Sequence, residues 1–521
     1  MDGTYAPVLL PIPAEAPIFG VFEATIEIGL PIEDPFRRVS LQVEATLPSG
    51  RLLKIDGFCD SADGSVFRFR IMPTEIGDVR FSATWRIDEQ EATFEGAFRA
   101  VQSSSHGMLE VNPDRPHHFR WSHSHAPFFW NATTCYMLAG LEPSLARSAL
   151  ERLHSYEINR IRVSLSPSRQ KDGGRWSEAQ VKPRDGFTFF YGPWPSLYPD
   201  QHENPGWDVT RFQVAYWRTY ESLLKLAGEL GINVQVVFFT DAQEAPNYPF
   251  PRDQFGDNED ERRYYRYAVA RLACFSNVEW CVTNEWRLFR PDEWVEEIGA
   301  YLAELDPYGH LTSVHGHEVF PFRASPWVTH ALYQLWDEGG GYAGMSAQRE
   351  AQDATGFPKP VINDEFGYED HEPTYAGATP TSRDWKSRLR IAWEIAMAGC
   401  YCTTGESPRD GVGGWINGLC VKPSPMLEGH LVLKRFFQSF DWQALTPDPS
   451  LGEGCYVLSE KNAQYVVFFP AGADATVKFD VEGLKGYWLD IYSGVRTEYV
   501  AANGLKPPHD HKDWVLRLTR N

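Results

Sequence analysis

Between residues 127 and 406 the chain repeats one pattern eight times: a short apolar run, often β-branched, that ends on polar residues. The runs are "PFFWNATT" (127–134), "NRIRVSLS" (159–166), "INVQVVFFTD" (232–241), "VEWCVTNEW" (278–286), "HLTSVHGH" (310–317), "HALYQLW" (330–336), "PVINDEFGY" (360–368) and "GCYCTTGE" (399–406). Segments with helical spacing of apolar residues lie between them: "PSLARSALERLHSYE", "VAYWRTYESLLKLAGELG", "ERRYYRYAVARLACF", "DEWVEEIGAYLAEL" and "SRDWKSRLRIAWEIAMAG". Strands that alternate with helices pair in parallel, because a crossover helix returns the chain to the same end of the sheet and a tight hairpin does not. Eight such strands, by count and length, predict a (β/α)8 TIM barrel over residues 106–440. An open doubly wound sheet would carry a glycine-rich phosphate loop after its first strand, and the sequence has none.

The flanks follow a different rule. In residues 1–105, "VFEATIEIGL", "RRVSLQVEATLP", "SVFRFRIMP" and "GDVRFSATWRI" alternate apolar and polar residues between Gly, Pro and Asp turns, which predicts an N-terminal β-sandwich. Residues 441–521 return to short strands such as "AQYVVFFP" and "WVLRLTR", which predict a C-terminal β-sandwich. The fold class is therefore α/β, a TIM barrel flanked by two β-sandwich domains.

Charge and cysteine usage narrow the partners. A net charge of −21, from 70 acidic against 49 basic residues, opposes binding to nucleic acid and to anionic membranes. No apolar run reaches the ~18 residues of a membrane span. The opening "MDGTYAPVLLPIPAEAPIFG" lacks a basic start and breaks its apolar stretch with prolines, which predicts a cytoplasmic protein without a secretory leader. Eight scattered cysteines without a C-x-x-C pair read as buried free thiols of a reducing compartment. His117, His118, His123 and His125 fall in "DRPHHFRWSHSHAP", read as a hairpin at the barrel end opposite the active face. Neither a metal site nor another cofactor is expected.

In a barrel of this kind the C-terminal ends of the strands converge on one mouth, so catalysis is sought there. Arg162 follows strand two, Asp241 closes strand three, and Asn284 and Glu285 close strand four. His315 and His317 close strand five, Tyr333 and Trp336 lie on strand six, Glu365 closes strand seven, and Trp415 lies beyond strand eight in "GVGGWING". Two carboxylates facing one another across a mouth suit glycoside hydrolysis with retention, one group donating a proton to the departing oxygen and the other attacking the anomeric carbon. Glu285 is the expected acid and base, Glu365 the expected nucleophile. Arg162 and Tyr333 are expected to donate to Glu365, and Asn284 to the sugar hydroxyl beside the reacting carbon. Asp241, His315, His317, Trp336 and Trp415 are the remaining candidate sugar contacts. Asp364 and Glu369 compete with Glu365, but period-two geometry predicts that its neighbours turn away. The aromatic loop "DGFTFFYGPWPSLYPDQHENPGW" after strand two is expected to wall the pocket, which favours chain ends and short substrates.

The Asn-Glu pair closing strand four and the Glu closing strand seven resemble clan A of the retaining glycoside hydrolases. "FEATIEIGLPIEDPFRRVSLQVEATLPSGR", "PFFWNATTCY" and "WLDIYSGVRTEY" resemble the N-terminal sandwich, the opening barrel strand and the C-terminal sandwich of bacterial glycosidase-like proteins described through domains of unknown function. The resemblance implies a retaining, exo-acting glycosidase of oligosaccharides or small glycosides. One departure is visible: a common form of the opening strand carries an acidic "GDT", where this chain has "NATT", so substrate specificity does not carry over. A transglycosidase would use the same covalent intermediate. A non-catalytic carbohydrate-binding protein would make both glutamates dispensable for binding, and a metal-dependent lyase or isomerase would lose activity in a chelator. Sugar identity, linkage and oligomeric state, a homo-oligomer included, stay open.

Overall fold

The structure, a computed structural model, describes residues 5–165, 192–198, 206–239, 249–250, 258–288, 290–370, 383–407, 423–471, 473–500, 505–509 and 512–520. Its centre is an eight-stranded parallel sheet of β1 (Ala132–Thr134), β2 (Arg160–Ser164), β3 (Asn233–Val237), β4 (Val278–Cys281), β5 (Thr312–Ser313), β6 (Ala331–Tyr333), β7 (Val361–Asn363) and β8 (Tyr401–Thr404). The ladder runs from β5 through β4, β3, β2 and β1 to β8, β7 and β6. A parallel bridge between His315 and Leu332 joins the two ends and makes the sheet a barrel. Around it lie α1 (Pro143–Ser155), α2 (Val214–Glu229), α3 (Glu259–Leu272), α4 (Asp292–Leu305), α5 (Tyr342–Asp353), α6 (Trp385–Met397) and α7 (Pro425–Gln438). Between β5 and β6 the described chain forms only the 3-10 turn Pro321–Ala324.

Strand alternation gives the barrel an unusual interior. On β2, Ile161 and Val163 are buried apolar residues, while Arg160 and Arg162 are fully buried and make their ion pairs inside the barrel. Arg160 bonds Glu279 of β4 (2.6 Å) and Asp364 (2.8 Å), and its guanidinium lies 4.3 Å from the centre of the Trp130 ring. Thr403 of β8 donates to the same Asp364 carboxylate. Buried charge persists only when paired and hydrogen-bonded, and this layer meets that condition directly below the mouth.

Three of the caps are legible in local chemistry. Asn258 accepts from Asp260 and Glu261 backbone N–H at the start of α3, and Asp384 accepts from Lys386 and Ser387 at the start of α6. Ser424 accepts from Leu427 N (3.2 Å) at the start of α7. Such caps satisfy N–H groups that the helix itself leaves open. Two helices, α5 and α7, lie outside the segments that the sequence marked as helical. The first of them starts at Gly341 without a side-chain cap, in a polar stretch interrupted by Gly344.

The N-terminal part places a four-stranded sheet (Val8–Leu9, Phe22–Glu27, Val66–Ile71, Phe58–Cys59) against a five-stranded one (Glu15–Pro17, Gln90–Val101, Gly77–Ile87, Val39–Thr46, Leu52–Asp56). Phe22 stacks on Phe98 with ring centres 3.9 Å apart, and Phe69 meets Phe81 edge to face. An ionic network joins this sandwich to the barrel. Arg70 bonds Glu221 of α2 (2.8 Å), Glu221 bonds Arg271 of α3 (2.6 Å), and Arg271 bonds Asp60 (2.9 Å), all four side chains being buried.

A three-stranded antiparallel sheet (Leu109–Val111, Phe119–Trp121, Pro127–Phe128) precedes β1, so the predicted first strand divides between this sheet and the barrel. Phe119 stacks on Trp130 at 5.0 Å, and His118 Nδ1 lies 2.8 Å from Tyr401 Oη. At the C-terminus a six-stranded sheet covers α6 and α7, with Trp393 nearly parallel to Phe468 at 6.3 Å. A second apolar layer that includes Val467, Trp488 and Leu516 fills its other side. Seven cysteines fall in the described residues, and all are buried free thiols. No helix of the described residues is long and apolar enough to cross a membrane.

Candidate active site

Arg162 is the hub of the mouth. Its Nη1 donates to Glu365 Oε1 (2.8 Å), its Nη2 donates to Asn284 Oδ1 (2.7 Å), and its Nε lies 3.0 Å from Asp364 Oδ2. One planar fork thereby ties the end of β4 to the end of β7, a geometry that an ammonium group cannot reproduce. Burial opposes the charge of this guanidinium, and Asp364, Tyr136 and Glu365 more than offset that, so its pKa stands well above the ordinary arginine value.

Glu365 is 5% exposed. Besides Arg162, its Oε1 accepts from Tyr136 Oη (2.5 Å), and its Oε2 accepts from Gln334 Nε2 (3.1 Å). Tyr136 lies two residues beyond β1, under the Arg162 guanidinium at 4.8 Å. Burial and the adjacent Glu365 push its hydroxyl well above the usual tyrosine range, which keeps the proton it donates. His315 is fully buried, with Nε2 3.6 Å from Glu365 Oε1. Burial, and then Arg162, hold its pKa well below the ordinary value, and burial lowers that of His317, so both rings are neutral near pH 7.

Glu285 follows Asn284 and takes a left-handed backbone at φ 48°. For a residue with a Cβ this conformation costs about 1–2 kcal/mol. It is held by the bond from Asn284 N to Phe239 O (2.9 Å) on one side and from Leu288 N to Glu285 O (3.1 Å) on the other.

The structure thus gathers Arg162, Asn284, His315 and Glu365, with His317 close by. Tyr333 does not join them. Its ring lies against Phe320 (5.5 Å) and near the Arg323 guanidinium (5.8 Å), and Gln334, next along the chain, reaches Glu365 in its place. Trp336 is half-buried with the Arg383 guanidinium 4.7 Å from its ring centre. Asp364 is not turned away either: it lies below Glu365, and although burial opposes its charge, Arg160 and Arg162 hold its carboxyl well below the usual range. Asp241 and Trp415 lie outside the described residues, as does most of the aromatic loop after β2. Of that loop, Trp194 is core: it is buried against Tyr264 at 4.7 Å. Tyr136 and Gln334 are the contacts that sequence reasoning missed. The one signal for Tyr136 was a phenol just beyond the first strand, amid apolar residues.

The comparison with protein families matches the Apiosidase-like catalytic domain over residues 116–406, more than half of the chain. The chain belongs to the Apiosidase-like family. With that membership goes the activity class, a glycosidase. Residues 15–86 of this Apiosidase-like chain match a domain of unknown function, DUF5060. A solved structure from Bacteroides vulgatus ATCC 8482, described as a "putative glycoside hydrolase", superimposes with a TM-score of 0.81 at 21% identity, covering 98% of this chain and 100% of that one. A glycoside hydrolase family 5 structure from the same organism gives 0.59 at 16% identity, covering 80% of this chain and 93% of that one. Both likenesses show the shared fold. A comparison with curated proteins finds no match.

Proposed function

We propose that this Apiosidase-like enzyme is a retaining, exo-acting glycosidase, with Glu365 as nucleophile and Glu285 as acid and base. The observation that carries the reading is the Arg162 fork, which bonds Glu365 and Asn284 together and so brings the residue preceding Glu285 to the carboxylate of β7. In the first step Glu365 Oε2 bonds to the anomeric carbon as the bond to the departing oxygen breaks, and that oxygen takes a proton from Glu285. In the second, water attacks the same carbon, gives its proton to Glu285, and the electron pair of the ester bond returns to Glu365. Retention calls for carboxyl groups about 5–5.5 Å apart. Asn284 has its Oδ1 engaged by Arg162 and offers its NH2 to the hydroxyl beside the reacting carbon.

The depth of Glu365 supports attack at chain ends or on small glycosides, and the buried free thiols support a cytoplasmic setting, where such glycosides arrive by uptake. The substrate panel is a set of nitrophenyl pyranosides and furanosides of both anomers, with apiosides among the furanosides. Wild type is expected to release nitrophenol from at least one and to give a sugar of the same anomeric configuration by NMR. Glu365→Gln is expected to be inactive. Wild-type turnover by that variant, or an inverted product, would end this mechanism.

A further inference from the structure

Gln334 lies one residue past β6 and touches the oxygen of Glu365 that Arg162 and Tyr136 leave alone. Chemistry fixes which way its amide points. A carboxylate beside a hydrogen-bond donor can only accept, so the NH2 faces Glu365 and the carbonyl oxygen faces elsewhere. That oxygen is buried, and no hydrogen-bond donor among the described residues reaches it, on a side chain only 6% exposed.

Two neighbours share the condition. His317 Nε2 and His315 Nε2 are buried without a hydrogen-bond partner among the described residues. Gln334 N donates to His317 O (3.4 Å), and His315 bridges to Leu332, so the three residues sit side by side where β5 and β6 end. A neutral imidazole can donate or accept according to its tautomer, whereas the amide carbonyl only accepts. A buried acceptor left open is costly, and a sugar hydroxyl meets its demand where a ring oxygen, a C–H or a fluorine does not. Asn284 offers the opposite polarity, since Arg162 already occupies its Oδ1.

We propose that Gln334 is a specificity-determining residue: its Oε1 accepts the proton of one glycone hydroxyl, and glycones lacking that hydroxyl are rejected. The inference deepens the glycosidase reading and rests on Glu365 standing at the reacting centre. The test is a cycle of wild type and Gln334→Met on the nitrophenyl glycoside cleaved fastest in the panel and on its monodeoxy and monodeoxyfluoro analogues. Methionine keeps the side-chain length and removes both polar atoms.

At one ring position, loss of the hydroxyl is expected to lower kcat/KM about 10- to 100-fold in wild type. In Gln334→Met the same loss is expected to matter less than about threefold, while the other positions keep equal penalties in both proteins. Equal penalties at every position would overturn the inference. If Gln334→Met turns over too slowly, calorimetric dissociation constants of the free sugar and its deoxy analogues give the same cycle, and thermal melting verifies its fold. An active Glu365→Gln would sink the underlying site, whereas an inactive Glu365→Gln with no coupling at Gln334 refutes this inference alone.

Discussion

Tyr136→Phe removes one atom from the site and leaves the ring under Arg162. Its Oη donates to Glu365 Oε1 at 2.5 Å, in a fully buried position. A hydrogen bond to a carboxylate is worth about 1.5–3 kcal/mol, and one to a neutral ester carbonyl about 0.5–1.5 kcal/mol. In the proposed retaining mechanism the phenol therefore favours the free carboxylate over the glycosyl ester by about 1–1.5 kcal/mol. Its loss makes Glu365 a poorer leaving group in the second step, so deglycosylation should slow by about 5- to 12-fold. With a dinitrophenyl glycoside, whose departure needs little help, the second step limits turnover. There kcat and KM should fall together while kcat/KM holds within about threefold. Mass spectrometry of quenched reactions should show a larger fraction of enzyme carrying the sugar. An unchanged kcat, with no rise in the labelled fraction, would refute the argument that Tyr136 stabilises the departing carboxylate.

Other outcomes follow from features already described. Glu285→Gln should keep most of its first-step rate on dinitrophenyl glycosides and lose at least about 100-fold on alkyl glycosides, since only the poor leaving group needs the proton. Arg271→Met should cost about 3–5 kcal/mol in urea unfolding, because it leaves Glu221 and Asp60 buried beside a lost partner. Burial pushes His118 and His330 down to about 3 and His430 down to about 4, from an ordinary value of 6.5. The unfolded chain takes up these protons first, so stability should fall as pH drops below about 6.5, by up to about 1.4 kcal/mol per pH unit for each ring. Melting curves between pH 7 and 5 measure it, and His430→Leu should show a shallower acid limb.

The strand-helix alternation made the barrel legible, and polar residues at strand ends made Arg162, Asn284 and Glu365 legible. What failed was phase. β6 and β7 have three residues each, and the ladder stops at Tyr333 and Asn363, so strict alternation no longer governs Gln334, Asp364 or Glu365. Sequence reasoning therefore chose Tyr333 over its neighbour and turned Asp364 away from Glu365, although both carboxylates reach Arg162. Tyr136 was hidden for another reason: surrounded by Cys135, Met137 and Leu138, it reads as core until the fold sets its hydroxyl against a carboxylate 229 residues away.

The chain of charges from Arg70 through Glu221 and Arg271 to Asp60 makes the N-terminal sandwich a structural wall of the barrel and not a detachable passenger. Trimming the gene to its catalytic segment would take Arg70 from Glu221 and Asp60 from Arg271, leaving those two paired with each other, and bare the outer faces of two barrel helices to water. Engineering the mouth is best done on a chain that keeps the sandwich, where that ionic seam holds the scaffold closed while the rim is rewritten.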